Sequence, residues 1–262
     1  MPSVRIIPCL DVAGGRVVKG VRFEGHRDVG GIEEHTAFYV AQGADELVYY
    51  DIGASPEGRS VELDWIARVA RLIDIPFCVA GGIRTRDQAA AALGAGADKI
   101  SINSPALERP DLIAELARDF GSQCVVVGID SLAEGASLSG ANGAYRVRQY
   151  TGSAAAARDA GRETLAWARE VAERGAGEIV LNCMSRDGVR AGYDLAHTRA
   201  VVDAVDVPVI ASGGAGSIAD FRDAFVTAGA SGALAATVFH DRLIAIPVLK
   251  EELARCAIDV RR

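Results

Sequence analysis

The chain has 262 residues, half of them hydrophobic and 24% charged, enough for a large core, and a net charge of −7 from 28 basic and 35 acidic residues. The acidic balance, with no block of Lys and Arg, argues against nucleic acid or a membrane surface as partner. No apolar run reaches the length of a membrane span, and Met1-Pro-Ser-Val-Arg5 lacks signal-peptide character, so a cytoplasmic protein is expected.

Eight short apolar runs occur at 4–10, 46–51, 77–80, 99–102, 124–129, 178–182, 209–212 and 232–236. They are hydrophobic without alternation, the pattern of parallel strands covered on both faces. Helical patterns follow them at 32–42, 61–73, 86–95, 110–120, 162–174, 195–205, 217–228 and near 248–256. Eight such units predict an α/β chain folded as one (β/α)8 TIM barrel domain over 1–262, with a doubly wound open sheet as the alternative. The connections 12–31 and 131–161 are too long for simple turns, and long loops inside a compact domain are usually functional. Within the second, Tyr145-Arg-Val-Arg-Gln-Tyr150 alternates enough for a small hairpin.

The chain also repeats itself. FCVAGGIRTRDQAAAALGAGADKISINS at 77–104 is echoed by VIASGGAGSIADFRDAFVTAGASGALAAT at 209–237, with Gly96 and Gly229, and Ser104 and Thr237, each 133 positions apart. The 42–48 and 174–180 segments, and 6–11 and 125–130, correspond likewise. The barrel is therefore expected to consist of two fused half-barrels, about 1–120 and 121–262. In each copy a strand ends in paired glycines, Gly81-Gly82 and Gly213-Gly214, and a helix follows. Such turns let backbone N–H groups approach an anion, so two copies suggest a substrate with a phosphate at each end. Ordinary strand–helix turns, with Gly relieving sterics, are the plainer account.

Asp11 and Asp130 end the first and fifth runs, opposite each other around the mouth, where barrel enzymes hold their active sites. Two facing carboxylates can divide general acid and general base between them; each could instead cap a neighbouring loop amide. Lys19, in a glycine-flanked stretch, could reach over the mouth, or be a solvated lysine. Asp51 ends the second run, and Asp187 and Gly188 follow the sixth, where Asp187 could orient a substrate and Gly188 offer an N–H. Gly214-Ala-Gly-Ser-Ile-Ala219 resembles a dinucleotide fingerprint, but no acidic residue closes the next strand, which argues against a nicotinamide cofactor. Four histidines without metal-ligand spacing, and five cysteines without a CxxC pair, point to no metal, no cofactor and free, mostly buried thiols. At the opposite end of the strands, Arg5, Glu46, Lys99 and Glu178 are either rim residues or an inward-facing ionic ring. A polar floor would suggest that something small passes there, since such rings stabilise less than an apolar plug.

These segments resemble the cyclase subunits of imidazole glycerol phosphate synthase, a histidine-biosynthesis enzyme, over essentially the whole chain. The matches are RIIPCLDVAGGRVVKG at 5–20, GADELVYYDI at 43–52, GADKISIN at 96–103, GSQCVVVGID at 121–130, RGAGEIVLN at 174–182, DGVRAGYD at 187–194 and IASGGAG at 210–216. The resemblance implies that Asp11 and Asp130 are the acid/base pair and Lys19 the flexible-loop lysine. It implies phosphate sites around Gly82, Asn103 and Ser104 on one side, and around Gly188, Gly213, Gly214, Ala236 and Thr237 on the other. Arg5, Glu46, Lys99 and Glu178 match the gate through which ammonia enters from a docked glutaminase subunit. The implied lyase reaction joins ammonia to N'-(5-phosphoribulosyl)formimino-AICAR ribonucleotide, giving imidazole glycerol phosphate and AICAR ribonucleotide. Ser185 stands where many relatives carry Asp, Gly53 where Thr is common, Gly14 where Asp is frequent and Thr237 where Ser is frequent. The alternatives are the sister isomerase of the same pathway and a phosphate-binding scaffold without catalysis.

Overall fold

The computed structural model describes residues 3–21, 24–54, 57–134, 144–152 and 155–261, with side chains outside 19–27. Its strands are β1 (Arg5–Ala13), β2 (Arg16–Val21), β3 (Glu24–Gly31), β4 (Leu47–Asp51), β5 (Phe77–Ala80), β6 (Lys99–Ile102), β7 (Val125–Glu134), β8 (Ala144–Gln149), β9 (Arg158–Glu163), β10 (Glu178–Cys183), β11 (Val209–Ser212) and β12 (Gly232–Ala235). Eight of them pair in parallel in the order β1-β4-β5-β6-β7-β10-β11-β12, and β12 returns to β1 through the register Arg5↔Gly232 to Pro8↔Ala235. The sheet is a closed eight-stranded barrel.

The helices are α1 (Ile32–Ala41), α2 (Leu63–Ala70), α3 (Arg86–Gly94), α4 (Ser104–Glu108), α5 (Asp111–Phe120), α6 (Thr164–Glu173), α7 (Leu195–Val202), α8 (Ile218–Val226), α9 (Thr237–His240) and α10 (Ile246–Arg255). They ring the barrel and bury large side chains such as Tyr39, Trp65, Trp167 and Phe221 against the strands' outer faces. Two helices begin with side-chain caps just beyond a Gly-Gly turn: Thr85 and Gln88 form a reciprocal capping box on α3, and on α8 Asp220 accepts from the Ser217 N–H at 2.7 Å.

Because side chains alternate across a strand, one parity of every barrel strand faces inward. Ile7, Cys9, Val48, Cys78, Val126, Val180, Ile210 and Leu234 form a separate interior cluster, while Ile6, Leu10, Leu47 and Tyr49 pack outward under the helices. Both faces are buried, which is why the runs read as continuous hydrophobics. On β1 the inward parity runs Arg5, Ile7, Cys9, Asp11. Along β10 it runs Glu178, Val180, Asn182. One strand thus carries a floor charge, a core residue and a mouth residue on a single rail.

Several expectations need correction. The 12–31 connection is not a loop: β2 pairs antiparallel with β1 and β3 with β2, so β1 continues past Asp11 to Ala13. The 145–150 segment is β8, but its hairpin partner is the extended end of β7, with β9 on its other side. Tyr145 and Val147 are the buried parity there. The helix expected from 162 starts at Thr164, because the Glu163 side chain caps it, accepting from Leu165 N (3.1 Å) and Ala166 N (2.8 Å). Helix 61–73 is trimmed to α2. The short helices α4 and α9 were not anticipated, and they begin at the two corresponding hydroxyl residues, Ser104 and Thr237. The five cysteines are free; Cys9, Cys78 and Cys183 are buried, Cys124 lies half-buried in a 3-10 turn before β7, and Cys256 is exposed.

Candidate active site

At the C-terminal ends of the barrel strands lies a cavity of about 280 Å³, bordered by Asp11, Asp130 and Asp187 and by both Gly-Gly turns. The registers explain the placement. Asp11 sits opposite Tyr50 on β4 and Val18 on β2, and Asp130 opposite Asn182 on β10 and Arg148 on β8. At both aspartates a parallel barrel strand begins its antiparallel excursion, and the carboxyl lies on the inward parity.

The two carboxyls have different surroundings. Burial raises Asp11 to about 7, reinforced by the neighbouring charge of Asp187. Among the described residues no side chain hydrogen-bonds it. Asp130 is held on both oxygens: Asn182 Nδ2 donates to Oδ1 (2.8 Å), and Asn103 Nδ2 (2.7 Å) and the Thr151 hydroxyl (2.5 Å) donate to Oδ2. Burial pushes Asp130 up, and these donors pull it back in part. Asp187 is also raised, first by burial and then by Asp130, while the Gly188 N–H draws it down. Asp51 also borders the cavity, but its carboxylate is paired with Arg59, so three carboxyl groups without a cation partner among the described residues share the cavity, and the lining cation there is Arg190, at the exposed rim.

The expected phosphate positions also border this cavity. Gly82, Asn103 and Ser104 lie on one side; Gly188, Gly213, Gly214, Ala236 and Thr237 on the other. Gly82 (φ 67°) and Gly214 (φ 118°) are in the left-handed region, and a Cβ on Gly82 would come within 2.6 Å of the Arg59 carbonyl oxygen. A Cβ on Gly214 would meet the carbonyl of Gly192, whose own N–H donates to Gly214 O at 2.9 Å. Glycine is thus required there by backbone conformation and crowding, beyond any ligand approach. Among the described residues, no cluster of three or more His, Cys, Asp and Glu could hold a metal ion.

Two other anticipated residues do not present a described side chain to the reacting centre. Lys19 lies on β2, paired in register with Arg27, and its side chain is outside the described part of the structure. Asp51 has the outward parity and is buried in a two-pronged pair with Arg59, 2.8 Å on each arm, so it organises the loop after β4. A Cβ on Gly53 would press within 2.8 Å of that guanidinium, which gives the departure at 53 a local packing reason. Sequence reasoning missed Asn182 and Thr151. Asn182 had a detectable signal, since it shares the inward parity of Glu178; Thr151 had none, because its reach depends on the turn after β8.

At the other end the four charged residues meet. Arg5 donates to Glu46 (2.7 Å) and Glu178 (2.5 Å), and Lys99 to Glu46 (2.9 Å) and Glu178 (3.3 Å), closing a ring of alternating sign. Glu46 is 2% and Glu178 7% exposed, so the ring is inward-facing and not a rim feature. Above it, the interior aliphatic and thiol cluster separates floor from mouth.

Comparison with known proteins is decisive for the family. Residues 5–245 match the family model described as histidine biosynthesis protein. The proteins named imidazole glycerol phosphate synthase subunit HisF from Xanthomonas campestris pv. campestris (strain B100) and Xanthomonas oryzae pv. oryzae (strain MAFF 311018) are each 60% identical over 261 residues, covering 100% of this chain and 99% of the relative. The chain belongs to the HisF family of histidine-biosynthesis proteins. A Stenotrophomonas maltophilia (strain R551-3) member with the same name is 58% identical over the same span. These relatives are named as subunits of a larger enzyme.

Proposed function

We propose that this chain is the ammonia-using cyclase subunit of imidazole glycerol phosphate synthase, acting as a lyase on N'-(5-phosphoribulosyl)formimino-AICAR ribonucleotide. The observation that carries the reading is a single cavity bordered by two opposed aspartates and by two related glycine-and-hydroxyl cradles. It matches a long substrate with a phosphate at each end and its reacting segment between them.

In this reading the cradles around Gly82, Asn103 and Ser104, and around Gly188, Gly214, Ala236 and Thr237, hold the phosphates and supply most of the binding. Asp11 and Asp130 then face the reacting atoms. Ammonia attacks the ribulosyl carbonyl to give an imine, and cleavage and ring closure need protons delivered and removed alternately. A carboxyl raised to about 7 populates both protonation states near neutral pH, which suits general acid/base exchange. Lys19 would neutralise a phosphate or a developing anion.

The floor ring completes the reading. Arg5, Glu46, Lys99 and Glu178 form the gate for ammonia from a glutaminase subunit docked on the N-terminal face. The apolar interior above favours neutral ammonia over ammonium, since an unpaired charge is costly to bury. The chain then works as one domain, 1–262, whose halves at about 1–120 and 121–262 each contribute one aspartate and one phosphate cradle. No described helix is long and apolar enough to cross a membrane, and the pathway fits the cytoplasm.

The test is turnover of the ribonucleotide, first with ammonium salt and then with glutamine plus the glutaminase subunit. Formation of imidazole glycerol phosphate under both conditions is expected. Turnover of the pathway's isomerase substrate alone, or of neither compound, would overturn the proposal.

A further inference from the structure

Among the described residues Asp130 accepts three hydrogen bonds, and the donors are not equivalent. Asn103 and Asn182 present amide Nδ2 groups, which donate and cannot accept. Asn182 is further held by Ser212, whose hydroxyl donates to its Oδ1 at 3.4 Å, keeping the amide nitrogen turned to Asp130 Oδ1. Thr151 is different. Its hydroxyl donates to Oδ2 of the carboxylate, but by rotating it can equally accept from a protonated carboxyl.

The chain makes an unusual turn to bring Thr151 there. Tyr150, the residue just past β8, has φ 58°, a left-handed conformation unfavourable for a bulky residue. It is held by two contacts: its N–H donates to Ser104 Oγ at 2.8 Å, and the Arg158 guanidinium lies 4.7 Å from its ring centroid. Local strain of this kind persists where surrounding structure enforces it, and it clusters at functional sites. β8 itself is anchored from behind, because Tyr145 stacks on His197 at 3.5 Å and donates to Asp194 at 2.7 Å.

We propose that Thr151 is a positioning residue for Asp130: among its described partners this hydroxyl is the adjustable one, donating to the carboxylate and accepting from the acid, so that proton exchange on Oδ2 proceeds without reorganising the fixed amides. The proposal rests on the reading of Asp130 as an acid/base group of the cyclase reaction. It also gives Ser104 a second task, since the residue offered to one substrate phosphate fastens the turn that presents Thr151. Thr151 itself is half-buried at the cavity edge.

The experiment compares the wild type with Thr151→Val, which removes the hydroxyl at nearly constant shape, and Thr151→Ser, which restores it. Turnover with ammonium salt as nitrogen donor is followed across pH, and the Asp130 carboxyl is titrated by carbon-13 NMR, its signal assigned by its loss in Asp130→Asn. In Thr151→Val, kcat should fall by roughly 10- to 100-fold, within the range of acid–base effects. KM should change by less than about 2-fold if phosphates supply the binding. The Asp130 titration should move upward, because a donor to its charged form is gone. Thr151→Ser should return kcat and the titration most of the way. Unchanged kcat and titration in Thr151→Val would overturn the proposal, as would a Thr151→Ser variant no better than Thr151→Val. An active Asp130→Asn variant would instead sink the underlying reading of Asp130. The NMR titration reads Thr151's effect even in a preparation without turnover, so the two failures are separable.

Discussion

The barrel has two charged ends, and they are built on opposite principles. At the floor, two anions and two cations close a ring with every charge paired. At the mouth, Asp11, Asp130 and Asp187 share a cavity in which burial, reinforced by neighbouring charge at Asp11 and Asp187, raises all three. The same strands carry both, since Arg5 and Asp11 lie on one inward rail of β1, roughly 20 Å apart along the strand at about 3.3 Å per residue. Paired charges hold one another in place; buried carboxyls without a cation store proton-transfer capacity at the expense of stability. On the proposed reading, the difference assigns a filter to one end and proton exchange to the other.

The largest expected effect comes from breaking the floor. Lys99→Leu leaves Glu46 and Glu178 with Arg5 alone, and a loss of about 3–5 kcal/mol is expected in urea unfolding, as for a broken buried ion pair. Turnover with ammonium salt should survive in the folded fraction, since ammonia can enter through the mouth. With the glutaminase subunit present, glutamine consumed should exceed product formed. An unchanged one-to-one ratio in folded protein would make the ring purely structural.

Breaking the mouth at Asp11 should do the reverse, harming activity and sparing the fold; at Asp130 an amide nitrogen would oppose one of three donors, at a cost of about 1–3 kcal/mol. Asp11→Asn and Asp130→Asn should each lower kcat by at least about 10²-fold, roughly 2.7 kcal/mol of barrier, with KM nearly unchanged. For Asp11 the stability sign follows from linkage. Between about pH 4 and pH 7 the native state keeps the proton that the unfolded chain has released, so wild-type stability declines as pH rises through that window and levels off above it. Asp11→Asn should lack this slope. At pH 8 it should be more stable than wild type by a few kcal/mol, since each pH unit of that window contributes about 1.4 kcal/mol. A variant with the wild-type slope would show that Asp11 titrates normally.

Smaller changes sharpen the contrast. Gly188 has φ 71° with open space around its missing side chain, so Gly188→Ala should cost about 1–2 kcal/mol through backbone conformation alone. It should also raise KM by crowding the second phosphate cradle. Gly82→Ala should lose more stability, because its Cβ meets backbone. The smallest effect is expected from Asp187→Asn: with one neighbouring charge gone, the Asp11 limb of the pH–kcat profile should move to lower pH. A limb that stays in place would remove Asp187 from the electrostatics of Asp11.

The amino-acid sequence by itself determined the eight strand–helix units, because strands buried on both faces leave continuous apolar runs. It also determined the ends at which Asp11, Asp130, Arg5 and Glu178 lie, because their positions at the termini of those runs do not depend on packing detail. The glycine turns and their hydroxyl partners were legible through repetition along the chain. Only the tertiary structure decided which charges are paired. Whether Arg5, Glu46, Lys99 and Glu178 form a ring depends on four strands meeting around a closed barrel, and strand parity had to be set by register. It alone decided that Asp51 turns outward to Arg59, that the connections after Asp11 and Asp130 are antiparallel excursions, and that Thr151 reaches Asp130. The ring contacts and the Thr151–Asp130 bond join residues 21 to 173 positions apart and form when the sheet closes and one strained tyrosine redirects the chain, so no local pattern could encode them.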